Sequence, residues 1–207
     1  MRDIAKLTSL YEQLFEELGT ADKMGNYHIS AEAFAKVDLG YTEGYGDPSI
    51  KKDFPICFPA EGSSRRQIIE IKNMRFYTRC EHHGLPFIGY VHYFYIPDTL
   101  VCGLSKPARV VHHFAHKYQM QEKMTHEISE YLWQEVSPVA HVVSIEGMHL
   151  CNIMRGIETP DTITRTREQK VDELIYKEQK QEGALYHLIK DLCNHDVTGP
   201  TRGVNVL

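Results

Sequence analysis

The sequence lacks the features that would place it in a membrane or outside the cell. No stretch of its 207 residues approaches the roughly 18 consecutive apolar residues that a transmembrane helix needs. The chain begins Met1-Arg2-Asp3, which starts no secretory signal. Internal repeats and low-complexity tracts are missing too, and 42% hydrophobic with 25% charged residues is typical of globular proteins. We therefore expect a cytoplasmic globular protein with no membrane partner.

An excess of positive charge and an even number of cysteines are missing as well. The net charge of −5 at pH 7 disfavours a general attraction to nucleic acid, so an anionic ligand would need a local basic pocket. The five cysteines are an odd number, and disulfides are rare in the cytosol, so we expect free thiols. With 12 histidines in the chain, the spacing of histidine relative to cysteine becomes informative.

The order of the periodic segments predicts an α+β fold. The predicted elements are a helix at 4–18, a loop-like stretch at 39–63, strands at 67–77 and 87–96, helices capped by Ser105 and starting near Met120, strands at 139–146 and 151–157, and a helical region at 168–194. The last region has a polar middle at 177–183, where a helix can break. The core order is β-β-α-α-β-β, which predicts an antiparallel sheet with two helices on one face.

Two short motifs combine cysteine with histidine. Cys80-x-x-His83 follows the first core strand, and its side chains can converge on one ion. In an extended His149-x-Cys151, the two side chains share a face, so one can bind a metal while the other faces the reacting group. Thiolate with imidazole suits zinc. We predict Cys80, His83 and Cys151 as zinc ligands, with the fourth position open to water, as in catalytic sites.

A closed structural zinc site is the alternative, because either motif alone is common by chance. Such a site needs a fourth protein ligand, which His82, His149 or His92 could supply. Composition and spacing leave both kinds of zinc site open.

A basic segment supplies a candidate phosphate site. Ser105, Lys106 and Arg109 lie at a predicted helix N-terminus, where backbone N–H groups favour an anion. On an extended strand, Arg155 would share a face with Cys151, and strand spacing would hold a phosphate about 13 Å from the metal. The alternative is that Lys106 and Arg109 are solvated residues at a helix start.

Gln121 and Glu122 open the second predicted helix of the core. A carboxylate can accept two parallel N–H bonds from the edge of a guanine ring, and negative charge is favourable at a helix N-terminus. The alternative is that Glu122 only stabilises the helix dipole.

Taken together, the motifs resemble those of GTP cyclohydrolase I over about residues 66–158. The motifs that carry the resemblance are Cys80-Glu-His-His83, Gly89-x-x-His92 with Tyr95-Ile96-Pro97, Gly103-Leu-Ser-Lys106 with Ala108-Arg109, Gln119-x-Gln121-Glu122 with Thr125, and His149-x-Cys151 with Met154-Arg155-Gly156. The resemblance implies a tunnelling fold, with an N-terminal helix and Gly/Pro-rich segment at 1–65, a catalytic core at 66–167, and a C-terminal helical extension and tail at 168–207.

The resemblance also implies a reaction and its participants. Zinc-activated water hydrolyses GTP at guanine C8, formate leaves, and 7,8-dihydroneopterin triphosphate forms, which begins folate, pterin or 7-deazaguanine synthesis. The enzyme would be a toroidal homo-oligomer, typically a decamer, with active sites between subunits.

The resemblance assigns roles to single residues. Cys80, His83 and Cys151 would bind zinc, in agreement with their spacing. Glu122 with Gln121 would anchor guanine, His149 would transfer protons, and His82 would assist near the ribose. The triphosphate would be held by Ser105, Lys106, Arg109 and Arg155.

Two other classes of protein fit the motifs less well. Among related tunnelling-fold enzymes, pterin synthases bind zinc through three histidines, and the nitrile reductase of the deazaguanine pathway uses a nucleophilic cysteine with NADPH. Neither pattern matches Cys80-x-x-His83 with His149-x-Cys151. A non-catalytic zinc module would need neither Glu122 nor the histidines at these spacings.

Overall fold

In the computed structural model, residues 3–45, 57–60, 67–155, 158–159, 161–173 and 183–194 are described. The helices are α1 (Ile4–Glu17), α2 (Tyr27–Tyr41), α3 (Ser105–Ala115), α4 (Gln121–Val136), α5 (Leu150–Ile153) and α6 (Ala184–Asn194), with 3₁₀ turns at Ala21–Lys23 and Glu43–Tyr45. The strands are β1 (Cys57–Pro59), β2 (Ile69–Cys80), β3 (Pro86–Ile96), β4 (Leu100–Cys102), β5 (Tyr118–Gln119), β6 (Ala140–His149) and β7 (Thr164–Val171). Among these residues, no helix combines the length and apolar character needed to cross a bilayer.

A five-stranded sheet forms the centre of the fold. Its order is β5-β2-β3-β6-β7, and every pair is antiparallel except β2 with the short β5. β3 and β6 stay in one register from the pair Phe87 and His149 to the pair Ile96 and Ala140. The aromatic and β-branched residues of these strands favour such pairing. The predicted α+β class is confirmed, and the predicted order holds as far as β6. The last strand of the sheet is β7, at Thr164–Val171, instead of the strand predicted at 151–157.

Alternation along β3 and β6 divides their side chains between two layers. Val91 and Tyr93 pack with Val143 in the core that α3 and α4 cover. Phe94 and Val142 point to the opposite face, where α6 covers them. The two core helices therefore lie on one face of the sheet, as predicted, and α6 covers part of the other face.

The helices α1 and α2 are attached to the sheet through Asp38. Its carboxylate accepts hydrogen bonds from the Tyr11 hydroxyl and the Arg79 guanidinium. Arg79 also donates to Tyr118 at 3.3 Å and lies 5.0 Å from the centre of the Tyr41 ring. Burial, followed by the bond to Asp38, raises the pKa of Tyr11 to about 12. This network joins the N-terminal helices to β2 one residue before Cys80.

The strand predicted at 151–157 is wrong. β6 continues through Gly147 to His149, and the chain then enters the helical turn α5 at Leu150–Ile153. The strands predicted at 139–146 and 151–157 placed a short connection around Gly147, which instead lies within β6. Glycine is needed there for packing, since a Cβ at this position would lie 2.4 Å from Oε1 of Gln121.

The helix predicted from 168 is also wrong at its start, where the chain forms β7. The face of β7 towards α4 is polar: Thr166 Oγ1 accepts a hydrogen bond from Gln121, and Lys170 pairs with Glu130 of α4. A strand with a polar inner face has no apolar period of two, so hydrophobicity does not reveal it. The end of the predicted region is confirmed as α6, and residues 174–182 lie outside the described part of the chain.

The sequence pattern did not predict α2, whose last residues lie in the predicted loop at 39–63. It also did not predict β1, which lies within that loop. The predicted boundary at 167 falls within β7, and the division into three parts stays a prediction.

We predict that a methyl group at Gly89 disrupts the pairing of β3 with β6. A Cβ at this position would lie 1.8 Å from the Glu146 carbonyl oxygen, which belongs to the backbone and cannot move aside. Gly89→Ala should lower the free energy of unfolding in urea by about 3 kcal/mol or more. In the control Gly40→Ala, the added Cβ meets nothing within 4 Å. That helix substitution should be neutral or stabilise by up to about 1 kcal/mol. Equal effects of the two substitutions would contradict the prediction.

A buried histidine makes stability depend on pH. His141 has no exposed surface, its Nε2 lies 3.0 Å from Ser129 Oγ, and the rings of Tyr93 and Trp133 enclose it. Burial, with a smaller effect of the Lys170 charge, lowers the pKa of His141 from 6.5 to about 3. The folded protein therefore keeps this ring neutral at pH values where the unfolded chain protonates it.

This contribution to stability is complete above pH 6.5 and is lost as the pH falls towards 3. As the pH falls through this interval, we predict that the unfolding free energy of the wild type decreases by about 1.4 kcal/mol per pH unit relative to that of His141→Gln. Urea unfolding of both proteins between pH 6.5 and 4.5 measures the difference. Parallel curves would show that His141 is not responsible.

Candidate functional site

The ends of several strands meet at one end of the sheet. Cys80 is the last residue of β2 and pairs with Gln119 of β5, which places the start of α4 beside it. At the same end, Phe87 of β3 pairs with His149 of β6. The turn between β2 and β3 is closed by the Gly84 N–H, which donates to the Cys80 carbonyl at 2.9 Å. Gly84 has a φ of +67°, which glycine adopts readily.

All three predicted metal ligands meet at this place. The donor atoms of Cys80, His83 and Cys151 lie within 4.8 Å of one another. Cys80 Sγ and His83 Nδ1 are 3.8 Å apart. Among the described residues, no fourth histidine, cysteine or carboxylate has its donor atom within this distance of the group.

Cys151 reaches the group by a route that the sequence did not predict. His149 ends β6, and Cys151 lies in α5, so the expected extended His149-x-Cys151 is wrong. The expected distance of about 13 Å between the metal and a phosphate at Arg155 assumed that residues 151–155 form a strand. Because they do not, that distance is no longer expected. Arg155 is exposed just beyond α5. Burial and the neighbouring Cys80 thiol raise the pKa of Cys151, while the Arg155 charge opposes the shift.

The donor set fits a thiophilic divalent cation. Two thiolates and an imidazole are ordinary zinc ligands. Sulfur and nitrogen ligands of a tetrahedral zinc ion lie about 3.6 Å apart. The 3.8 Å between Cys80 Sγ and His83 Nδ1 needs only a small adjustment. A second group, His126 with Glu130 and Glu168, is partly exposed and already contains a Lys170 ion pair.

The three donors line a pocket of about 280 Å³. Four other residues predicted for the site, His82, His149, Gln121 and Glu122, line the same pocket. Glu122 is exposed in the first turn of α4, and His82 is exposed in the turn after β2. The structure thus brings together the groups predicted for metal, guanine and proton transfer.

His149 is held between two neighbours. Its ring stacks on Phe87 with centroids 4.3 Å apart and an angle of 7° between the planes. Its Nε2 lies 3.0 Å from Oε1 of Gln121. Burial lowers the pKa of His149, and the charge of Glu122 opposes the shift.

The residues predicted for phosphate do not line this pocket. Ser105, Lys106 and Arg109 lie in the first part of α3, where Lys106 is buried and the other two are exposed. Leu104 occupies the N-cap of α3 and Ser105 makes no capping bond, so the predicted cap is wrong. Arg155 lies near Cys151 but is also absent from the lining.

Two residues that form or support the pocket were not predicted from the sequence. Phe87, which stacks on His149, was recognised only as part of a strand. Thr164 lines the pocket and accepts a bond from Gln121 at 2.9 Å. The alternation of threonine at 162, 164 and 166 was a signal for a strand with one polar face.

Comparisons with known proteins agree with these motifs. A family profile described as "GTP cyclohydrolase I" matches residues 8–190. The protein named GTP cyclohydrolase 1 from Bacteroides thetaiotaomicron is 35% identical over 166 residues, which cover 80% of this chain and 83% of that protein. The protein of that name from Porphyromonas gingivalis is 41% identical over 79% of this chain and 83% of its own length. The GTP cyclohydrolase 1 from Sulfurihydrogenibium sp. is 47% identical over 106 residues. These residues cover 51% of this chain and 57% of that relative.

Proposed function

Because the chain belongs to the GTP cyclohydrolase I family, we propose that it hydrolyses GTP at guanine C8, releases formate and forms 7,8-dihydroneopterin triphosphate. Its sheet, with α3 and α4 on one face, is the tunnelling fold of that family. The observation that carries the proposal is the convergence of Cys80, His83 and Cys151 in one pocket with His149 and Glu122.

We propose zinc as the metal, held by Cys80, His83 and Cys151. The mixed thiolate and imidazole donors support this choice over hard cations such as magnesium. Zinc held by these residues would supply a Lewis acid that activates water for hydrolysis at neutral pH. With three protein ligands, the site would be of the catalytic type.

The remaining pocket residues would bind the base and move protons. The Glu122 carboxylate accepts two N–H bonds from the edge of guanine, at a helix N-terminus that favours its charge. Gln121 supports this guanine subsite from behind, where its amide contacts His149. His149 exchanges protons with the guanine imidazole as it opens. His82, exposed on the turn after β2, assists near the ribose.

We propose that the triphosphate is held between subunits of a homo-oligomer, a decamer by resemblance. Ser105, Lys106 and Arg109 combine a hydroxyl and two cations at the start of α3, and Arg155 adds a third cation. Ser105, Lys106 and Arg109 do not line the pocket that holds the metal ligands, which supports their contribution to the pocket of a neighbouring subunit. The product would enter folate, pterin or 7-deazaguanine synthesis in the cytoplasm.

The reaction is tested by incubating the zinc-loaded protein with GTP. We expect formate and a pterin that fluoresces after oxidation. His149→Ala should keep its zinc and lose at least about 100-fold in kcat. Cys151→Ala should lose zinc, as measured by metal analysis, because a ligand is removed. The control is His187→Ala, at an exposed position of α6. This variant should keep its zinc and its kcat.

Two results would overturn these assignments. A zinc-loaded wild type that releases no formate from GTP would exclude the proposed reaction. Loss of zinc from His149→Ala would show that the set of three ligands is wrong.

Complementation tests the position of the site between subunits. Arg109→Ala and His149→Ala should each be nearly inactive, and co-expression should restore roughly a quarter of wild-type activity through sites with both residues intact. The control pair, Arg109→Ala with Lys106→Ala, changes the same helix start and should restore nothing. An absence of recovery in the first pair would show that each site lies within one chain.

A further inference from the structure

Gln121 fills the space behind His149, with only 1% of its surface exposed. Its Nε2 donates to the carbonyl oxygens of Ile145 at 3.1 Å and Thr164 at 2.9 Å. The same nitrogen lies 3.1 Å from Thr166 Oγ1. On the other side of the amide, Oε1 lies 3.0 Å from His149 Nε2. Every polar atom of this side chain is therefore engaged within the protein.

These partners allow only one orientation of the amide. The carbonyl oxygens of Ile145 and Thr164 can only accept, so they require the nitrogen of Gln121 on their side. A flipped amide would place its oxygen against two carbonyl oxygens and leave these buried groups without donors. The oxygen of Gln121 must then face His149.

Two threonines reinforce this orientation. Thr125 Oγ1 donates to the backbone carbonyl of Gln121 at 2.8 Å, which uses its only proton. Thr166 Oγ1, 2.6 Å from Thr125 Oγ1, must therefore donate to it. Thr166 is then left to accept from the Gln121 amide, whose two hydrogens are shared among this hydroxyl and the carbonyl oxygens of Ile145 and Thr164. The hydrogen bonds run in one direction, from the Gln121 amide through the two threonines to the backbone carbonyl of Gln121.

This arrangement determines which nitrogen of His149 carries hydrogen. The amide oxygen of Gln121 can only accept, so His149 must donate from Nε2. A neutral imidazole has a single N–H, which leaves the lone pair on Nδ1. The stacked Phe87 ring fixes the plane of His149, and within this plane the Gln121 oxygen favours Nε2 over Cε1 as its neighbour.

We propose that Gln121 is a positioning residue that holds His149 in the Nε2–H tautomer. The proton exchanged with substrate is then carried by Nδ1. The kinetic part of this inference rests on the proposed function, whereas the tautomer itself does not. Gln121 acts through His149 and needs no contact of its amide with the base.

Gly147 makes room for this arrangement. A Cβ at this position would lie 2.4 Å from Gln121 Oε1 and 3.5 Å from the Phe87 ring. Gly147→Ala therefore displaces the accepting oxygen without removing it, and provides a second way to break the bond to His149.

The tautomer can be read from the ¹⁵N chemical shifts of histidine-labelled, zinc-loaded protein, with His149→Ala used to assign the signal. We expect the wild type to show hydrogen on Nε2. In Gln121→Met, which keeps the shape but loses the acceptor, a share of Nδ1–H should appear. Gln134→Met, at an exposed position of α4, is the matched control and should change nothing.

The kinetic readout is a fall of kcat by about 10- to 100-fold in Gln121→Met, with unchanged KM for GTP and unchanged zinc content. Hydrogen on Nδ1 in the wild type would overturn the proposal without need of any variant. A wild-type tautomer in both Gln121→Met and Gly147→Ala would overturn it as well, as would an unchanged kcat alongside an altered tautomer. Absence of formate from the wild type would instead count against the proposed reaction and leave the tautomer result readable.

Discussion

The continuous pairing of β3 with β6 is the constraint on which the site depends. It places Phe87 opposite His149 and thus stacks the two rings. The same register sets two glycines, Gly89 and Gly147, opposite each other, where the backbones and the Gln121 amide need their space. Because side chains alternate along a strand, a shift by one residue would turn His149 away from the pocket. The geometry of the site therefore depends on a register that buried aromatic residues stabilise over ten pairs.

Support for the pocket comes from a layer of buried and half-buried polar groups. Where α4 meets β7, threonine hydroxyls and the Gln121 amide form a closed set of hydrogen bonds. Buried polar groups are costly unless every one is satisfied, and a satisfied set is specific in its geometry. This layer restricts His149 more than apolar packing would, because hydrogen bonds determine both the orientation of its ring and its tautomer.

The sequence predicted the chemistry of the site better than its local backbone. Soft ligands reveal themselves by residue type, so Cys80, His83 and Cys151 could be assigned before any fold was known. Their meeting is confirmed, yet Cys151 arrives from a helical turn, because two residues of separation fit a strand and a helix start equally well. β7 was missed for a different reason, since its partners on α4 are polar and its inner face, with Thr164 and Thr166, has no hydrophobic period. The tautomer of His149 was out of reach, because it depends on atoms from three distant segments.

The distribution of charge bears on why the site would be shared between subunits. The chain has a net charge of −5, and three of its four phosphate candidates, Ser105, Lys106 and Arg109, lie at the start of α3 and do not line the pocket that holds the metal ligands. Under the proposed function, one chain offers the metal ligands, the guanine-binding carboxylate and His149, while the cations for the triphosphate come largely from another surface. A single subunit would then bind the base without neutralising the phosphates. Assembly would bring both halves together, so GTP hydrolysis would depend on quaternary structure as closely as on the ligands themselves.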